Sequence, residues 1–282
     1  MHVQWPEAGA ISKVPHAENP AWQGFKTPYF KESHFAFRAA VRKIIDELII
    51  PNAAKMEENN IDPSSELMQQ IGKTGYMFCL LGPGPWLQYC PVPLPGGVKP
   101  EEFDAFHELI AHEEQTRIGM PGLIAGLFGG FIIGNPVIFN FGSQKLMKEV
   151  AFECCLGKKR ICLAISEAFA GSDVANIQTT AKKTADGKHY IVNGTKKWIT
   201  SGSYADYFVT AVRTGGPGAG GMSVLLIERS KGVNTEKIKT AYSAAAGTSF
   251  ITFDDVLVPV ENLLHKENRG FEAIMVHFSD TL

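Results

Sequence analysis

Two short segments in the second half of the chain concentrate the residue types that could do chemistry. The first is Ala164-Ile165-Ser166-Glu167-Ala168-Phe169-Ala170-Gly171-Ser172-Asp173-Val174-Ala175. The second is Asn193-Gly194-Thr195-Lys196-Lys197-Trp198-Ile199-Thr200-Ser201-Gly202. Each joins small residues, hydroxyls and glycines to one large aromatic. Glycine and serine let backbone N–H groups approach a ligand closely, and hydroxyls both donate and accept hydrogen bonds. A rigid aromatic face completes what a flat heteroaromatic ligand needs.

The elements that must position these residues are short strands. Ile161-Cys162-Leu163-Ala164-Ile165 is an apolar run with β-branched residues, which predicts a buried strand emptying into the Ser166-Glu167 loop. Asn193-Gly194 is a two-residue hairpin signal, so His189–Val192 and Lys197–Thr200 are expected as its two arms. Trp198 and Thr200, two residues apart, are then expected on one strand face. Taken singly, each segment is equally well read as an ordinary strand and turn with a core tryptophan. Their order and joint presence carry the argument.

That order, with its spacing and identities, resembles the middle domain of the FAD-dependent acyl-CoA dehydrogenases. Further matching stretches are Phe253-Asp254-Asp255-Val256-Leu257-Val258-Pro259, Asn262-Leu263-Leu264 and Asn268-Arg269-Gly270-Phe271. The likeness runs from about residue 30 to residue 278. It implies that the stretch from Leu163 through Gly171 to Ser172 lines FAD, with Ser166 at the pyrimidine edge. Ser172 is then placed where flavin and acyl-CoA meet. Trp198 and Ile199 are expected to cover the flavin ring, and Thr200 to approach N5, the hydride acceptor. Two departures, Asn176 where a small residue is usual and Ala244-Ala245-Ala246 in a turn that is usually polar, bear on substrate class more than on fold.

The chemistry implied is α,β-dehydrogenation of an acyl thioester: a carboxylate removes the α-proton while the β-hydride passes to flavin. In the family that carboxylate lies in a carboxy-terminal helical bundle. At the earlier of its two positions this chain has Thr281, beside Asp280 and followed by Leu282 where an arginine is usual. No catalytic base is identifiable, and one is expected beyond Leu282. Glu167 is read as a local structural partner. The resemblance therefore implies a shortened or incomplete acyl-CoA dehydrogenase. The alternative of a different class is a non-catalytic flavin- or acyl-CoA-binding fragment, either a homo-oligomer or paired with a full-length relative. An oxidase or an enzyme of a non-CoA substrate is a third reading.

Composition fits a globular chain with a substantial core: 282 residues, 45% hydrophobic and 20% charged. A net charge of -2 gives no electrostatic reason to expect nucleic acid or an anionic membrane surface as partner. Five cysteines with no CxxC pair suggest neither a disulfide framework nor a zinc site, as expected of an intracellular protein. The first 22 residues carry no apolar signal core and no arginine-rich amphipathic pattern, so cytoplasm, mitochondrion and peroxisome are not distinguished.

The predicted architecture is α+β: an irregular arm (1–30), an α-helical domain (31–157), a β-rich barrel or sandwich domain (158–266), and the start of a further helix (267–282). Phe37, Val41, Ile44, Ile45 and Leu48 recur at helical spacing, with Pro51 expected to close the run. Asp62 is the expected N-cap of a short helix through Leu67 and Ile71. Another helix is expected from Glu101 to Gln115, and Ser143 is expected to cap one running to Leu156. Gly82–Pro100 reads as loop.

Three patterns invite other functions and are set aside. Met120–Phe141 is nearly free of charge, but Asn135-Pro136 is expected to split it. Its five glycines (122, 126, 129, 130 and 134) suit a buried helix better than a membrane span. Gly216-Pro217-Gly218-Ala219-Gly220-Gly221 matches GxGxxG, yet a strand and not a helix comes next, which marks a flexible hairpin loop. His107 and His112, five apart, point about 140° from each other on a helix and cannot share a metal.

Overall fold

The computed structural model describes residues 19–241 and 243–279. Residues 1–18 of the arm, and Asp280, Thr281 and Leu282, lie outside them. The arm's described end is packed down: Pro20–Gln23 forms a 3₁₀ turn, and Trp22 is fully buried. Its indole N–H donates to the Glu113 carboxylate at 3.0 Å.

The helical part comprises α1 (Glu32–Ile44), α2 (Ile50–Glu58), α3 (Ser65–Gly72), α4 (Tyr76–Cys79), α5 (Ala105–Thr116), α6 (Pro121–Ile124), α7 (Gly130–Phe141), α8 (Gln144–Leu146) and α9 (Phe152–Cys155). Pro51 does not end the first helix. A π-helical turn over Ile45–Ile49 precedes it, and Ile50 donates its N–H to Ile45 O, so the chain widens ahead of the residue that has no N–H to give. The short helix after Asp62 is capped by Ser64 instead, whose Oγ accepts from Leu67 N at 3.1 Å. α5 starts later than expected, because Asp104 accepts from the amides of Phe106 and His107. Ser143 caps α8 as expected, accepting from Leu146 N.

His34 and His107 are both third residues of their helices, and both reach back to the capping backbone. Lys31 N donates to His34 Nδ1 at 2.8 Å and Asp104 N to His107 Nδ1 at 3.2 Å. The rings lie 4.0 Å apart, and Asp104 Oδ1 sits 2.8 Å from His34 Nε2 and 2.9 Å from His107 Nδ1. One carboxylate thus joins the starts of α1 and α5. Burial pushes Asp104 up, but the hydrogen bonds from His34 and His107 outweigh it and hold the carboxyl well below the usual range. Burial, and His34 alongside, push His107 below its ordinary value.

α6, a π turn over Ala125–Gly129 and α7 form one 21-residue apolar rod, Pro121–Phe141. Asn135-Pro136 does not split it: Pro136 lies within α7, and Asn135 Nδ2 donates to Ala151 O. The rod is long and apolar enough to cross a membrane, but it is spent on packing. A Cβ on Gly126 would fall 2.1 Å from Ala245 O, and one on Gly130 2.8 Å from Ile161 O. The glycines bring the helix backbone against the β part.

The strands are β1 (Ile161–Ala164), β2 (Thr180–Lys183), β3 (His189–Ile199), β4 (Tyr207–Arg213), β5 (Met222–Glu228), β6 (Val233–Lys237), β7 (Ser249–Pro259) and β8 (Leu263–Leu264). They order as β6-β7-β3-β2-β4-β5-β8, mostly antiparallel, with β1 parallel to β4. β5 is buried at six successive residues because it has two covered faces: Val224 and Leu226 join the helical core, whereas Leu225 and Ile227 join the interior of the sheet. A last helix, α10, spans Gly270–Ser279.

Asn193-Gly194 is not a turn. β3 runs straight through it, and the β2–β3 turn falls at Asp186-Gly187, where Gly187 has φ +68°. Gly194 lies where the chain crosses closely, since a Cβ there would sit 2.6 Å from Thr179 Cα. Asn193 serves a bulge in β7: its Nδ2 donates to Asp255 Oδ1, and its Oδ1 accepts from Asp255 N.

Candidate functional site

β3 and β7 lose register twice, in opposite senses. Val192–Gly194 faces three steps of β7, and Lys196–Ile199 faces two. The second irregularity puts an extra residue into β3 at Trp198, which takes φ +68°, unusual for a bulky side chain. The strand's alternation breaks there. Lys196 and Ile199 face inward and are buried, while Trp198 is turned out and remains 54% exposed. Thr200 is therefore not on the same strand face as Trp198, because β3 ends at Ile199. It stands half-buried in the adjoining turn, against Gly129 of the rod.

β1 delivers the other segment to the same place. Leu163 is half-buried opposite Val209, and Ser166 comes after it, its carbonyl accepting from Lys197 N at 2.9 Å. Glu167 and Ala170 then exchange backbone hydrogen bonds, closing a tight turn that leaves Phe169 90% exposed. Gly171 and Ser172 continue on the exposed loop, and a Cβ on Gly171 would meet nothing within 4 Å. Leu163 and Ser166 thus lie beside the end of β3. Gly171 and Ser172 stand further out on the loop, and Ile199 is a core residue.

Sequence reasoning missed Lys196. Its side chain is fully buried, and Nζ donates to Glu167 Oε1 at 2.8 Å and to Ile165 O at 2.9 Å. Glu167 also accepts from Gln178 N at 2.6 Å and Thr179 N at 3.0 Å. Burial pulls Lys196 down to about 8 against the pull of the carboxylate. On Glu167, burial pushes upward, but Lys196 and the two amides outweigh it and hold the group below its ordinary value. The carboxylate has more donors than the ammonium has acceptors, so the cost of burial falls on the lysine. The available signal was parity: Tyr190, Val192, Gly194 and Lys196 lie on one face once Asn193-Gly194 is read as strand. Glu167 is the local structural partner it was expected to be.

The far end of the same segment is held by Arg213 at the end of β4. Its Nε donates to Ile177 O at 2.9 Å and its Nη2 to Ala175 O at 2.7 Å. Nη1 reaches Gly216 O and Gly218 O in the glycine-rich β4–β5 connection. That connection is a hairpin loop as expected, but it is fastened by the arginine and not left free.

The helical rod closes the site from the other side. Tyr204 Oη donates to Gly126 O at 2.6 Å, and Ser201 N donates to Ala246 O. The loop, the bulged end of β3 and a π turn of the rod therefore meet at the junction of the helical and β parts. An exposed aromatic face, hydroxyls and a glycine with open space around it are gathered there, which suits a flat heteroaromatic group.

Residues 162–256 match the model of the acyl-CoA dehydrogenase middle domain. The acyl-CoA dehydrogenase apdG of Emericella nidulans is 42% identical over 273 residues, covering 95% of this chain and 62% of that relative. The crystal structure of an acyl-CoA dehydrogenase from Geobacillus kaustophilus superposes with a TM-score of 0.75 at 29% identity, over 91% of this chain and 64% of that one. An acyl-CoA dehydrogenase complexed with FAD from Bacillus anthracis gives 0.76 at 25%, over 91% and 41%. The chain belongs to the acyl-CoA dehydrogenase family, whose members are FAD flavoproteins of fatty acid metabolism. It spans about three-fifths of the length of the relatives it matches first.

Proposed function

We propose that this chain supplies the flavin-facing and acyl-CoA-facing surfaces of an FAD-dependent acyl-CoA dehydrogenase acting on a CH–CH bond next to a thioester. The observation that carries the reading is the bulge that turns Trp198 outward beside Ser166 and the Thr200 turn. A large aromatic held in a left-handed backbone with half its surface uncovered is poorly explained by packing.

FAD, when bound, accepts the hydride. The protein's share is placement and exclusion of water. Trp198 offers its face to the ring system, and Ile199 backs it from the core. Thr200 is the donor assigned to the ring edge that takes the hydride. Leu163 lines the ring, Ser166 serves the pyrimidine edge, and Gly171 lets the loop backbone approach. Ser172 lies where flavin and acyl thioester meet. The junction is dry on the inner side, since Ile199, Ala245 and Ala246 are buried, and dryness strengthens hydrogen bonds that stabilise an enolate. The α-proton acceptor is assigned to none of these residues. Glu167 is engaged by Lys196 and two amides. An acyl-CoA is the proposed substrate, and self-association or pairing with a longer relative the proposed assembly.

The test is a visible spectrum of the chain after incubation with FAD and desalting, and then anaerobic addition of a panel of acyl-CoAs. A retained flavin band that bleaches establishes the dehydrogenase. A retained band that no acyl-CoA bleaches leaves a flavin-binding, non-catalytic chain. No retained flavin overturns the reading.

A further inference from the structure

We propose that Lys196, through its buried ion pair with Glu167, is a positioning residue of the cofactor site. It locks the Ser166–Ser172 loop against the Trp198–Thr200 end of β3. The proposal rests on the flavin reading above.

The geometry is specific. Lys196 sits two residues before Trp198 on the strand, and its ammonium crosses to the other segment at two points, Ile165 O and Glu167 Oε1. On the same strand Lys197 N holds Ser166 O. One short stretch of β3 thus grips residues 165, 166 and 167, immediately before the exposed turn and the Gly171-Ser172 loop. Glu167 passes the grip onward to the amides of Gln178 and Thr179, so it also fixes the loop's far side. Arg213 secures Ala175 and Ile177 between them. The exposed residues Ala168 to Asp173 are therefore suspended between two anchored ends.

An ion pair is a poor device for stability in such a place. Taking both charges out of water costs several kilocalories, and an apolar pair of the same volume is often at least as stable. What a buried lysine with a carbonyl and a carboxylate supplies is direction: its acceptors must lie where its N–H bonds point. The neighbouring core shows the apolar solution was available, since Ile199 on the same inward face is held by packing alone. At Lys196 the chain uses a group that fixes the loop's distance from the strand.

The experiment compares the parent with Lys196→Met, the double variant Lys196→Met/Glu167→Gln, and Lys182→Met as a surface lysine control. Lys196→Met alone strands a buried carboxylate. The double variant leaves no unpaired charge, and its glutamine still accepts from Gln178 and Thr179. FAD affinity is titrated by flavin fluorescence, flavin circular dichroism reports how the ring is held, and thermal melts report the fold. Hydrogen exchange over residues 166–179 reports the anchoring without any flavin. The double variant is expected to recover most of the melting temperature lost in Lys196→Met. Its FAD affinity should stay about tenfold or more weaker, with altered flavin dichroism and faster exchange in the loop. Parental affinity and dichroism in the double variant overturn the proposal. So does affinity that recovers in step with melting temperature, because that is a purely structural role. A parent that binds no FAD overturns the flavin reading and the cofactor role with it, while exchange still decides whether Lys196 anchors the loop.

Discussion

Removing the indole of Trp198 tests the functional reading most directly. The side chain is 54% exposed, so of roughly 250 Å² about 135 Å² remains to be covered by a ligand. A flat ring covers one face, about half of that area, which at about 25 cal/mol per Å² corresponds to roughly 1.7 kcal/mol. Stacking geometry contributes about 1 kcal/mol beyond area. Trp198→Ala is therefore expected to weaken FAD binding by about 2–3 kcal/mol, some 30- to 150-fold in Kd. Trp198→Phe keeps an aromatic face and should stay within about fivefold of the parent. The buried part of the indole also supports the fold, so a lower melting temperature is expected in the alanine variant, of at most about 2–3 kcal/mol. Affinity is accordingly titrated well below that transition, by flavin fluorescence at equilibrium. A Kd for Trp198→Ala within twofold of the parent would rule out the stacking role, whatever the melting temperature did.

Two further outcomes are expected from the packing and the charges. Gly126→Val places a side chain 2.1 Å from Ala245 O and 2.9 Å from Tyr204 Oη, and should cost about 1–3 kcal/mol or more in chemical denaturation, whereas Gly171→Ala, with open space, should be near neutral; equal costs would mean that the rod is not seated on the β part. Acid should destabilise the start of α1 and α5 in two stages: His107 is depressed from 6.5, so the unfolded chain takes up protons first and stability falls as pH drops below 6.5, and Asp104 is depressed from 3.8, so its contribution is present above 3.8 and lost below it. His107→Gln, which keeps a side chain able to bond the capping amide, should flatten the upper stage of melting temperature against pH, and an unchanged slope there would contradict the assignment.

Much of the site was legible in the sequence because its signals are local. The apolar run 161–165 specified a strand, the small residues after it a loop, and Tyr207–Val212 and Met222–Ile227 a hairpin around the glycine-rich connection. The glycines of the rod pointed to close packing and received it. The errors share one cause. Asn193-Gly194, Pro51 and Asn135-Pro136 all carry strong local signals for interruption, and at each the chain continues. A neighbour takes up the irregularity: Asp255 in a matching bulge, a π turn before Pro51, the carbonyl of Ala151 for Asn135. Those partners are distant in sequence or depend on the helix being packed, so no window of residues around the signal contains them.

The sequence alone determined which residue types would be available: a tryptophan, two hydroxyls, open glycines and the strands to carry them. It also determined the α+β order of the elements, since helical and strand periodicities are properties of neighbours a few residues apart. Tertiary structure decided which side chains face outward. Trp198 is exposed and Lys196 buried because β3 and β7 differ by one residue between their pairings, and a single inserted residue reverses the face of every residue after it on the strand. It decided, too, that Lys196 and Glu167 meet. Two charges so far apart in sequence become partners only when β1 leads its loop along the end of β3, and water is excluded from both by the same act of folding.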